Sequence, residues 1–309
     1  MRGFLSYLFT KLYYQKKYNK TSKDGIQYYK AFGVPYLDDY QMADEIKDAL
    51  EKKIPYCIGK IGGNECDAVV SQIVGYKKYV KKSYSRLCHF AGFFPNEFDK
   101  DKFAEYFEIQ THAIGNLNML VWYRKPYEEL LIKKFANNNL NCVKMLASWA
   151  QELPWTRELA GYRVVVVHPY AELIEKQYKR RELLFGDSAI LPRFDLRVVK
   201  AVQSIADNKT GFSSWKDALN SMYEEVIKED FDIALIGCGA YGLPLASMIK
   251  DFGKIGVHMG GDLQMLFGIR GKRWDDMPES NRWYNNAWVR PGEEYKPEGF
   301  DSIEDGCYW

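Results

Sequence analysis

The chain has 309 residues, 47% of them hydrophobic and 27% charged, the balance of a folded protein with a sizeable core rather than of a disordered one. With 43 Lys and Arg against 41 Asp and Glu, the net charge of +2 gives no global field that would select nucleic acid as a partner. The six cysteines (Cys57, Cys66, Cys88, Cys142, Cys238, Cys307) form no C-x-x-C pair, which excludes a zinc finger and favours reduced thiols in a cytoplasmic protein.

The chain opens on an apolar stretch, residues 3–9, too short and too lightly preceded by charge for a signal peptide. Lys11, Lys16, Lys17 and Lys20 follow among tyrosines. Residues 1–30 therefore read as a basic, aromatic, amphipathic segment. Residues 1–20 suit a helix lying on an anionic membrane surface, and equally a helix packed on the domain. No apolar run reaches the roughly 18 residues needed to span a bilayer.

Residues 31–309 read as one α/β domain. Periodicity predicts a helix over residues 41–53, a buried strand over 56–61 and a helix capped by Asn64 that runs to Val74. Residues 98–120 read as largely helical, 127–136 as a helix and 142–146 as a weaker strand. Arg163–His168, with four consecutive valines, is the clearest strand. Helices are expected over 171–184, Trp215–Lys228 and 243–252, and strands over 231–236 and 255–259. Continuously apolar strands alternating with helices imply a mostly parallel sheet with helices on both faces. From Gly260 onward Gly, Trp, Arg, Asn and Pro predict an irregular aromatic C-terminal tail folded back over the domain.

Three places carry chemistry. Lys60, Gly62, Gly63, Asn64 and Glu65 stand where a strand passes into a helix. Glycines there let backbone approach a phosphate, the helix start offers N–H groups to an anion, and Glu65 can serve as base or metal ligand. The alternative is a tight turn with Glu65 favouring the helix dipole. Gly237, Gly239, Tyr241 and Gly242 belong to a G-x-G-x-x-G that follows a strand and opens a helix, and Asp262 lies 20 residues beyond, where a dinucleotide fold places its ribose acid. Third are scattered basic and aromatic residues. His168 ends the strongest strand, Arg193 sits in a loop suited to a diphosphate, and Arg273 and Trp274 flank a glycine-rich turn.

The run Lys60-Ile61-Gly62-Gly63-Asn64-Glu65 resembles the Arg-Phe-Gly-Asp-Gly-Glu signature of the GT-D-type glycosyltransferases of bacterial glycan assembly, and the resemblance spans about residues 55–275. The resemblance implies a Rossmann-like sheet, a nucleotide-sugar donor, a glycan or lipid-linked acceptor in surface polysaccharide assembly, and a D-x-E motif associated with Mg²⁺ or Mn²⁺, with no organic cofactor. It gives Lys60 the basic place, Gly62 the turn glycine, and Glu65 the second acid and metal ligand. The first acid is replaced by Gly63, and Asn64 stands where the family has glycine. Asp67 is a second catalytic candidate, although positions two apart on a helix do not share a face. Competing readings are an NAD-dependent oxidoreductase using residues 237–242 and a non-catalytic nucleotide-binding scaffold. The loops at 60–65 and 237–242 are expected to line one cleft, on the inner face of the cell membrane if residues 1–20 dock there.

Overall fold

The computed structural model describes residues 2–21, 33–122, 125–186 and 189–309. The expected boundary between residues 30 and 31 lies outside them. Eight strands form one sheet: β1 (Tyr36–Leu37), β2 (Tyr56–Gly59), β3 (Met119–Val121), β4 (Asn141–Val143), β5 (Arg163–His168), β6 (Asp195–Lys200), β7 (Ile233–Ile236) and β8 (Ile255–His258). Their order is β1-β4-β3-β2-β8-β7-β5-β6, and every pairing is parallel. The fold is the expected α/β one. Chain connections put the carboxyl ends of β2, β8, β7 and β5 side by side at one rim.

Alternation along the strands feeds two cores. Val165, Val167, Ala234 and Ile236 face one layer, which holds α3 (Gly63–Val74), α4 (Lys77–Ala91), α5 (Lys100–Asn116), α6 (Glu128–Phe135), α8 (Trp215–Lys228) and α9 (Gly242–Asp251). Val164, Val166, Ile233 and Leu235 face the other, which holds α2 (Asp39–Glu51), α7 (Ala171–Tyr178), α10 (Asp262–Leu266) and the C-terminal tail with its short α11 (Pro278–Asn281). The tail folds back as expected: Trp274, Trp288 and Trp309 are buried in this second core. Helix α1 (Arg2–Thr21) packs outside α3.

Several elements differ from the sequence expectation. The helix expected to run to Leu120 stops at Asn116, because Asn118 bonds to β2 through Cys57 and turns the chain into the sheet as β3. The helix expected to run to Leu184 stops at Tyr178 and continues as a 3-10 turn, Arg181–Leu183. The Tyr178 hydroxyl is engaged by Phe194, whose N–H donates to it at 2.7 Å. The cap of α3 is Gly62, not Asn64, which is the second helical residue. Strands β1 and β6 and helix α4 fall where no element was expected.

Candidate active site

At the rim where β2, β8, β7 and β5 end lies a cavity of about 570 Å³, a size that suits a small organic ligand. Its floor is the start of α3. Glu65 stands in the first turn and folds back over the N-cap. A Cβ on Gly62 would lie 2.2 Å from Glu65 Oε2, so glycine at 62 leaves the carboxylate its place. Burial raises the Glu65 carboxyl above its usual range, opposed by its own backbone N–H and by the nearby Lys60 ammonium. A carboxylate so placed is a stronger base than one in water.

Around it the lining is basic. Lys60, Lys82, Arg86, Lys125 and Arg273 face three carboxylates, Glu65, Asp67 and Glu304. Lys60 Nζ lies 3.4 Å from Asp262 Oδ2. Arg86 Nε donates to Asn64 Oδ1 at 3.2 Å, so Asn64 orients a cation rather than capping the helix. Lys125 crosses above Gly63, where a Cβ would meet its Cε at 3.2 Å. The Tyr79 hydroxyl donates to Asp67 Oδ1 at 3.0 Å. Burial raises the Asp67 carboxyl, while that bond, Arg86 and Lys125 pull it down.

The wall opposite comes from the ends of β5, β7 and β8 and from the tail. His168 and His258 are buried, and desolvation holds each imidazole down to about 3, with Lys60 adding to the effect at His258. Both are therefore neutral at physiological pH. His168 Nδ1 accepts the Tyr170 N–H at 3.0 Å, which leaves Nε2 as the protonated nitrogen. From the tail, Arg273 lies over the Tyr308 ring at 4.6 Å, donates to its hydroxyl at 3.2 Å and pairs with Glu304.

The two glycine loops meet in this cavity, since Gly62 and Gly63 line it together with Gly237 and Gly239. The family model of the GT-D fold-like domain matches residues 37–266, three quarters of the chain. The chain belongs to the GT-D fold-like family. No curated protein and no solved structure matches it.

Within this GT-D fold-like domain the G-x-G-x-x-G is held by packing. A Cβ on Gly237 would lie 2.8 Å from Gly260 O and from the His168 ring, and one on Gly242 2.0 Å from His258 Nδ1. Gly239 has φ +58 and comes against Ala91 O, a conformation that favours glycine. Tyr241 stacks on Trp215 at 5.2 Å and bonds Ser204 through its hydroxyl.

Of the residues singled out in the sequence, the cavity is lined by Lys60, Gly62, Gly63, Asn64, Glu65, Asp67, His168, Gly237, Gly239, Tyr241 and Arg273. Four are not brought there. Gly242 is buried behind His258, and Asp262 is the partner of Lys60 behind the lining. Trp274 is core, its ring against Gly261 and Gly271. Arg193 is exposed before β6, at the amino end of the sheet. Asp195 pairs with Arg163 there and His168 with Lys200 at the other end, so Arg193 lies a full strand length from the cavity. Sequence reasoning missed Lys82, Arg86, Lys125, Tyr308 and Trp309. The i, i+4 spacing of Lys78, Lys82 and Arg86 was a legible basic stripe; nothing local marked the others.

The metal implied by the D-x-E resemblance does not fit these side chains. Among the described residues no group of three His, Cys, Asp or Glu could hold a metal ion. The place of the first acid is a glycine overlain by the Lys125 side chain, so a cation already covers that spot.

Proposed function

We propose that this chain is a glycosyltransferase that takes a sugar from a nucleotide-sugar donor. The observation that supports the reading is the convergence, in one cavity, of a helix N-terminus, five cationic side chains and a half-buried carboxylate raised above its usual range. A diphosphate finds what it needs there: backbone N–H groups of α3 beside glycines and the ammonium groups of Lys60 and Lys125. The acceptor hydroxyl gives its proton to Glu65, its oxygen bonds to the anomeric carbon, and the bond from that carbon to the diphosphate oxygen breaks. Negative charge growing on the leaving diphosphate is met by Lys60, Lys125 and Arg86. His168 and His258, being neutral, bind sugar hydroxyls rather than phosphate.

In this reading Lys125 supplies, above Gly63, the positive charge that a divalent ion supplies beside an acid, so donor binding is independent of added metal. The test is equilibrium binding of UDP, GDP and their sugars against NAD(H), followed by a donor-hydrolysis screen with EDTA or with Mn²⁺. Tight binding of a nucleoside diphosphate that persists in EDTA is expected. Preference for NAD(H), or binding without turnover of any donor, refutes the reading in favour of an oxidoreductase or a scaffold.

A further inference from the structure

Helix α1 has two apolar faces, and only one is used. Gly3, Tyr7, Thr10, Tyr14 and Lys17 turn inward at helical spacing and are half-buried. Tyr7 meets Tyr76 and Tyr79 at 5.4 and 4.9 Å, Tyr14 meets Tyr127, and Lys17 Nζ pairs with Glu129 at 2.5 Å. The opposite face carries Leu5, Leu8, Phe9 and Leu12 at i, i+3, i+4 and i+7, exposed by 56, 39, 69 and 61%. Four large apolar side chains held in one row by a docked helix form a patch of the kind that marks an interaction surface.

The surroundings say what covers it. Lys11 and Lys16 flank the row, and α4, which meets the start of α1 through Tyr76 and Tyr79, presents Lys77, Lys78, Lys81 and Lys82 to solvent. Neither α1 nor α4 contains a single Asp or Glu. An apolar row framed by lysines without one acid matches an anionic bilayer, whose acyl boundary takes the leucines and whose headgroups take the ammonium groups. No described helix is long and apolar enough to cross a membrane, so the contact is one of lying on the surface.

The same helix walls the cavity, since Tyr7 and Gln15 line it. We propose that the outer face of α1 seats the protein on an anionic membrane, and that the acceptor reaching the cavity past α1 is anchored in that membrane. The second half rests on the glycosyltransferase reading; the first does not.

The test is co-sedimentation of the full-length protein with vesicles of phosphatidylcholine, with and without phosphatidylglycerol. Binding is expected only with the anionic lipid. Joint replacement Leu5→Ser, Leu8→Ser, Phe9→Ser and Leu12→Ser should weaken it at least about 100-fold. Lys77→Gln, Lys78→Gln and Lys81→Gln together should cost about fivefold per lysine. Melting temperature and donor binding in solution should be unchanged in both, because these side chains touch neither the core nor the cavity. With a lipid-anchored acceptor in the vesicles, transfer should fall with the serine variant, while transfer to the same glycan freed from its lipid should not. Vesicle binding that the serine variant retains, or binding indifferent to lipid charge, overturns the proposal. Self-association of the wild type that the serine variant abolishes also overturns it, by making a second copy the occupant. Absence of donor binding in every variant would sink the transferase reading while leaving the vesicle result to stand on its own.

Discussion

Glu65→Gln separates a catalytic carboxylate from a structural one. Glu65 is the third residue of α3, and an acid in that turn contributes about 0.3–1 kcal/mol through the helix dipole. Burial works the other way, because a charge held at a raised pKa costs stability that a neutral amide does not. The two contributions oppose each other, so the net change should stay below about 1 kcal/mol, or about 2 °C in melting temperature for a chain of this size. The amide is nearly isosteric and keeps the fold over Gly62. It cannot accept the acceptor's proton, so turnover should fall at least about 100-fold, the low end of what a positioned base contributes. The assay is release of nucleoside diphosphate at saturating donor, run beside thermal unfolding and equilibrium binding of the product. Wild-type turnover should also show an acid limb above the usual carboxylate range, absent from the variant's residual activity. Full turnover in Glu65→Gln, or a melting temperature lowered by many degrees, refutes the assignment of Glu65 as the base.

Other outcomes follow from the same geometry. Lys125→Ala should weaken nucleoside diphosphate binding at least about tenfold by calorimetry, and EDTA should leave wild-type affinity unchanged; a metal requirement in the wild type would contradict the role given to Lys125. Gly242→Ala places a Cβ 2.0 Å from His258 Nδ1 in a buried site and should cost about 1–3 kcal/mol in urea unfolding, with no loss expected only if α9 can move. His168 and His258, held down to about 3 against an ordinary 6.5, stay neutral in the folded chain while the unfolded chain takes up protons. Stability should therefore fall as pH drops below 6.5, by up to about 1.4 kcal/mol per pH unit for each ring, and the loss ends near pH 3. Glu65 and Asp67, with raised carboxyls, oppose this only in the window between their usual and their raised values. Denaturant titrations from pH 7 to 4 check the sign, and His168→Gln should flatten the slope.

The sequence by itself determined the elements whose pattern is complete within one segment. Arg163–His168 and Trp215–Lys228 coincide with expectation residue for residue, because four valines in a row and a helical repeat of buried Trp215, Ala218, Leu219, Met222 and Val226 need no partner to be read. The glycine turn at 62–63 and the carboxylate of Glu65 were legible for the same reason: strand, glycine and acid are adjacent in the chain. Only the tertiary structure decided what depends on neighbours. β1 and β3 are two or three residues long and are strands because a parallel partner lies beside them, whereas β4 falls on the weaker strand expected over 142–146 and ends at Val143. β6 is a half-exposed edge strand whose charges hide its alternation. The chemical identity of the cavity was likewise out of reach of local pattern. Lys125 reaches Gly63, and Tyr308 reaches Arg273, only through the packing of the sheet and the return of the tail. Local spacing also could not tell Trp274 in the core from a ring in the site, or place Arg193 at the far end of its strand. Which end of a strand a loop joins, and which face a ring meets, are properties of chain direction in the assembled sheet.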